Sequence, residues 1–237
     1  MNFTHIHPQS PSYGRIAGIL YMLIAFIGFF SIMYVPGEII TELAADTVQN
    51  LQEKASLFRW GIAADILTFA IEIALTSMLF QIFRHVNYTR ATIATYARFA
   101  MIVIMGINLL VYLTPLMILE NAELMGAYSP EQINSLVELF FDIHAAGILL
   151  WGIFFGIHLI FLGLLIQQSP QHPSILGWLV LIGSLGYIIE SINAFCLGSN
   201  ETVGILAGIL LGIVVIGELG FAIWLIVKGI KGSNDTH

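Results

Sequence analysis

Acids, imidazoles and a guanidinium stand in this sequence where lipid-compatible residues are otherwise continuous. The stretch "FFDIHAAGILLWGIFFGIH", residues 140–158, carries Asp142, His144 and His158. Other apolar runs carry Asp65 and Glu72 with Arg59 at one end, then Arg98 and Asn108, then Glu190, then Glu218. A charged side chain within a membrane span costs about 2.5–3.5 kcal/mol on insertion scales, so such residues normally face a bundle interior and a partner. Helical spacing groups them. Asp65 and Glu72 lie two turns apart on one face, flanked by Thr68 and Thr76. Tyr187, Glu190 and Ser191 cluster at i, i+3 and i+4. His144 and His158 share nearly one face, about four turns apart.

Depth along each run sorts these residues into two layers. Asp65, His144 and Glu190 fall roughly 7–11 Å from the outer end of their runs, with Arg59 and Asp142 above them and Glu72 below. Arg98, His158 and Glu218 fall at comparable depth from the inner end. Three readings of the outer layer are open. The first is a structural network in which Arg59 neutralises an acid and His144 donates a hydrogen bond. The second is a ligand, cation or proton site lined by Asp65, Glu72, His144 and Glu190, with Tyr187 and Arg59 beside it. The third is a metal centre of Asp65, His144 and Glu190, where an imidazole with two carboxylates suits zinc and an open position would permit hydrolysis of lipid. For the inner layer, an Arg98–Glu218 ion pair with His158 hydrogen-bonded nearby accounts for all three residues. A proton relay through Glu72 is the alternative. Haem is not expected, because a second axial ligand on another helix is missing; His85 stands only at the edge of a span.

The elements that must position these residues are membrane helices. Of 237 residues, 58% are hydrophobic and 10% charged, against about 25% charged in soluble domains. Six apolar runs, near 14–36, 58–84, 91–119, 137–167, 174–197 and 203–228, each reach the roughly 20 residues that a crossing needs. The fold class is therefore all-α: a polytopic bundle of six transmembrane helices forming one domain over 1–237. Two outer segments, 41–56 and 129–141, are amphipathic. In the first, Leu43, Val48, Leu51 and Ala55 form one stripe, which suggests a helix at the membrane surface. In the second, Ser129, Pro130 and Gln132 form a capping box with proline at the first helical position. A helix from there to Gln167 would be ~57 Å long, so a bend or a protruding amphipathic start is expected.

Arg15, Arg84, Arg90, Arg98, Lys228 and Lys231 fall on one side of the bundle, and Lys54 and Arg59 on the other. That asymmetry places both termini in the cytoplasm, and an even number of crossings agrees. The net charge of -7 and the absence of a basic tract leave membrane lipid, rather than nucleic acid, as the expected partner. The N-terminal "MNFTHIHPQSPSYGR" lacks the apolar core of a signal peptide, so the first run is read as a retained helix. "GRIAG", "GIFFG" and "GILAGILLG" repeat glycine at four-residue spacing, as close helix packing in lipid requires. Neither a phosphate loop nor a GxSxG elbow occurs.

"LFRWGIAADIL", "HAAGILLWGIFFGIHLIFLGLLI" and "PSILGWLVLIGSLGYIIES" together resemble a bacterial six-helix integral membrane family known as domain of unknown function 4386, over most of residues 13–228. The family's FR-x-G-x-x-x-D pattern matches Phe58, Arg59, Gly61 and Asp65, and its helix-four histidines match His144 and His158. Where the family has an Asp-Ser pair after GY, this chain has Glu190-Ser191. The resemblance implies a bacterial inner-membrane location and brings no reaction, ligand or oligomeric state with it.

Overall fold

The computed structural model describes residues 7–230. Lys231 and the first six residues of the N-terminal stretch lie outside them. Helices account for nearly all of that range. Helix α1 (Pro11–Gly28) runs through a π-helical turn (Phe29–Tyr34) into α2 (Val35–Ile39), and α3 (Ala44–Glu53) follows. The long α4 (Ala55–Phe83) and α5 (Tyr88–Leu119) come next, then the short α6 (Ala122–Ala127) and the 39-residue α7 (Pro130–Gln168). The chain closes with α8 (Ser174–Gly183), α9 (Leu185–Cys196) and α10 (Glu201–Lys228). Six spans, Pro11–Ile39, Ala55–Phe83, Tyr88–Leu119, Pro130–Gln168, Ser174–Cys196 and Glu201–Lys228, are long and apolar enough to cross a membrane. The molecule is a multi-pass helical membrane protein.

The helix ends follow the sequence. Ser129 and Gln132 close the capping box reciprocally, the Ser129 amide donating to Gln132 Oε1 at 2.9 Å and the Gln132 amide to Ser129 Oγ at 3.4 Å. Asn121 caps α6 and Asn200 caps α10 by accepting first-turn amides. Pro115 stands inside α5. It frees the Val111 carbonyl and weakens the ladder one turn before the helix ends. The fourth span has no helix break: α7 runs unbroken from Pro130 to Gln168, and its start is the amphipathic part, as one of the two expectations had it. A break occurs instead in the fifth span, at Ser184, whose hydroxyl donates to the Leu181 carbonyl at 2.7 Å. In the first span the Val35 amide reaches back to the Phe30 carbonyl, one residue further than an α-helix allows.

Two compact units are distinguishable. The first comprises the chain up to Leu23, then Ile71–Ile102, then everything from Leu149. The second comprises Ile24–Ala70 and Val103–Ile148.

In the first unit, helices pack through glycine. A Cβ on Gly163 of α7 would lie 2.8 Å from the Gly177 carbonyl of α8, and one on Gly177 would lie 2.7 Å from the Gly163 carbonyl. Gly18 meets the Ala222 carbonyl of α10 in the same way, and Gly156 meets the Ser184 carbonyl. The glycines of "GILAGILLG" do otherwise: Gly208 and Gly212 face open space, and Gly204 meets only the Asn193 side chain at 3.6 Å. The side of α10 that packs uses Gly217 against Val180, while Gly183 and Gly186 answer from α8 and α9. Four-residue spacing signals a smooth helix face but does not say which face finds a neighbour.

The second unit holds an apolar core of Val35, Ile39, Leu51, Phe58, Tyr112, Leu116, Ile133, Val137 and Phe141 with their neighbours. Both amphipathic segments are explained by it. Leu51 carries α3 onto this core, while Leu43 remains exposed. Ile133, Val137 and Phe141, at i, i+4 and i+8, turn the first three turns of α7 onto the same core.

Candidate functional site

The polar residues fall into two clusters, one in each unit. In the first unit Arg98, 1% exposed, is the centre. Its Nε donates to Glu72 Oε2 at 2.6 Å, and its Nη1 lies 2.9 Å from His158 Nε2. His158 Nδ1 lies 2.8 Å from the Ala94 carbonyl, an acceptor only. Nδ1 therefore carries the ring proton, and Nε2 is left to accept from the guanidinium. The Tyr21 ring lies 5.2 Å under the guanidinium carbon. Its hydroxyl donates to Glu218 Oε1 at 2.5 Å.

The inner-layer expectation is thus corrected in its pairing. Arg98, His158 and Glu218 do share one cluster with Tyr21, but the ion pair is Arg98–Glu72. Glu218 is held by a neutral phenol. The reason is depth: α4 and α5 form an antiparallel hairpin, and Glu72 and Arg98 stand nearly equidistant from the turn at 84–87. Glu72, expected among the outer residues, is committed to this pair.

In the same unit the Tyr187 ring packs edge-on against Trp151 and Phe155, with centroids at 5.7 and 5.0 Å. Ser191 donates back to the Leu149 and Tyr187 carbonyls at 2.8 and 2.7 Å. Glu190 is exposed. Trp151 also stacks on Phe155, with centroids 4.8 Å apart.

The second unit places Asp65, 6% exposed, on α4. Among the described residues no cation pairs with it. Arg59 pairs with Glu120 instead, at 2.5 Å and with both side chains half-exposed, a contact worth about 0–1 kcal/mol. Near Asp65 lie the Ser31 hydroxyl, from the π-helical turn, and the Tyr112 phenol of α5. Tyr112 OH and Thr68 Oγ1, one turn along α4 from Asp65, are buried without a hydrogen-bond partner among the described residues, whereas the Ser31 hydroxyl has the Asp65 carboxylate as its partner. Each such buried hydroxyl costs about 1–3 kcal/mol. A native interior rarely leaves such groups together unless something else fills them.

His144 stacks on the Tyr112 ring, with centroids 4.3 Å apart. Its main chain is tied to Asn108, whose Nδ2 donates to the His144 carbonyl at 2.9 Å. Asp65 and His144 thus flank Tyr112, one through its charge and the other through its ring face. Glu190 belongs to the other unit. Among the described residues no three His, Cys, Asp or Glu side chains gather as a metal-holding group. Ser31 and Tyr112 carry no sequence signal, since a serine or a tyrosine in an apolar run is ordinary.

No solved structure matches this chain. An "Uncharacterized protein" of the archaeon Archaeoglobus fulgidus is similar, 42% identical over 82 residues. That stretch covers 35% of this chain and 46% of the relative, so less than half of the relative's length is matched. The family model "Domain of unknown function (DUF4386)" matches residues 16–229. With nearly the whole helical bundle inside that match, the chain belongs to this family.

Proposed function

We propose that this multi-pass protein binds a small monovalent cation, or the cationic end of a small molecule, at Asp65. The observation that carries the reading is a buried carboxylate without a counter-charge, set beside unpartnered buried hydroxyls. Oxygen donors suit hard cations, and one carboxylate balances one positive charge. Ser31, Thr68 and Tyr112 supply neutral oxygens, while His144 braces the Tyr112 ring. Glu72, Glu190, Tyr187 and Arg59, which belong to the wider site expected from sequence, are left out of this narrower set. In the proposed orientation, in a bacterial inner membrane with both termini cytoplasmic, Asp65 lies toward the outer side.

The test is thermal unfolding of purified protein titrated with sodium, potassium or ethylammonium chloride against a choline chloride background. At a hundredfold excess over Kd the wild type is expected to gain about 2.7 kcal/mol. Asp65→Asn should abolish the gain, and Thr68→Val should weaken it. An equal response in Asp65→Asn, or none in the wild type, overturns the reading. Stoichiometric zinc in protein purified without chelator would favour the hydrolase reading in its place.

Orientation has its own test. Cys196 is the one cysteine, exposed at the end of α9. A membrane-impermeant maleimide added to intact cells is expected to label it. Labelling only after permeabilisation would reverse the topology.

A further inference from the structure

At one end of the first unit, two adjoining cavities of about 200 and 300 Å³ share Gln9 and His85. His172 lines the first, and Arg84 and His7 line the second. Among the described residues no carboxylate lines either one. Arg84 is exposed and makes no ion pair among the described residues.

His172 gives the independent observation. It is 8% exposed and lies between the Phe83 and Phe221 rings, with centroids at 5.4 and 5.6 Å. Its Nδ1 is 2.8 Å from Ser169 Oγ. That oxygen accepts from the Gln171 amide at 3.4 Å and is free to donate its own proton to Nδ1. In that arrangement Nε2 is an N–H donor, and it is buried without a hydrogen-bond partner among the described residues. Burial pushes the imidazole pKa down to about 4, so the ring is neutral at neutral pH. A guanidinium without a counter-ion and a buried N–H without an acceptor among the described residues, on the walls of adjoining cavities, suit an anion with several acceptor oxygens.

Depth decides what carries that anion. The cavities are walled by the residues before α1, the α4–α5 turn, the α7–α8 turn and Ile230 after α10. All of these stand at span ends. Lys228 lies over the Trp224 ring at 5.9 Å in the last two turns of α10, an aromatic and cationic pair typical of the headgroup level. We propose that the adjoining cavities hold the phosphate of an anionic membrane phospholipid, with Arg84 meeting its charge and His172 Nε2 and His85 hydrogen-bonding its oxygens.

Native mass spectrometry of the full chain from detergent micelles tests this, with added phosphatidylglycerol, phosphatidylcholine or inorganic phosphate. Phosphatidylglycerol is expected to be retained over phosphatidylcholine and not to be displaced by inorganic phosphate. Arg84→Gln should weaken its retention roughly fivefold, and Arg90→Gln, which lines neither cavity, should leave it unchanged. His172→Phe keeps the ring packing, removes the donor, and should also weaken retention. Equal retention of both lipids, or wild-type retention by Arg84→Gln, overturns the proposal. Inorganic phosphate that binds alone with the same Arg84 dependence makes this a free-anion site, which also overturns it. Should His172→Phe fail to fold, the exposed Arg84 variant still decides the matter.

Discussion

Replacing Arg98 by Met is expected to destabilise the protein by about 3–5 kcal/mol, because it strands the Glu72 carboxylate in the interior. The guanidinium is fully enclosed and joined to Glu72, His158 and the Tyr21 face at once. Removing it therefore leaves an uncompensated charge and a bare imidazole nitrogen. Glu72→Gln should cost a similar amount for the converse reason. Glu218→Gln should cost less than about 1 kcal/mol, since the amide oxygen can still accept from Tyr21 and no ion pair is lost. Removing both charges, as Glu72→Leu with Arg98→Met, should recover most of the loss, because desolvation of the pair offsets much of its attraction. Denaturant unfolding in mixed micelles measures all four. Equal losses for Glu72→Gln and Glu218→Gln would mean that the guanidinium is shared between them.

The second large effect is steric. Gly163→Val and Gly177→Val each place a side chain against backbone that cannot rotate away: the Gly177 carbonyl and Leu181 amide in one case, the Gly163 carbonyl and Gln167 amide in the other, all at 2.7–2.8 Å. In lipid there is little hydrophobic drive to hold helices together, so close packing carries the association. Forcing α7 and α8 apart should cost at least the 1–3 kcal/mol typical of overpacking. The double variant should cost less than the two singles added, because one approach is lost once. Gly208→Val and Gly212→Val point into open space and should change stability by no more than about 0.5 kcal/mol. The same unfolding assay separates the two sets. Equal sensitivity of both would show that α10 packs through its other face.

How much of this was legible in the sequence depends on which physical rule spoke. Six spans were plain, because the bilayer imposes a length and a composition that few other environments share. That Arg98 and His158 are interior follows from the cost of leaving either in lipid. The choice of Glu72 over Glu218 as the partner required the hairpin, since depth measured from different helix ends is less certain than residues counted from a shared turn. His144 and His158 lie as far apart on α7 as Ala94 and Asn108 do on α5, and each histidine meets one of these two residues. That register is invisible until the helices are known to be neighbours. The cluster at Asp65 was half legible. The acid and Thr68 announced themselves by spacing, but Ser31 and Tyr112 are side chains that apolar helices commonly carry without function. His172 escaped because a turn histidine looks solvated until two phenylalanines are seen around it.

Ser31 reaches its place because the first span carries a π-helical turn, and that turn can be read as a shift of phase. An α-helix advances about 100° per residue, so the one extra residue held in Phe29–Tyr34 offsets everything after it against everything before it by roughly that angle. Gly14 and Gly18, which set the early part of α1 against α10, and Val35 and Ile39, which enter the second core, are thus clocked independently although they share one span. Deleting a single residue between 29 and 34 would restore an unbroken helical phase. It would then force a choice between the glycine contacts at one end and the buried valine and isoleucine at the other.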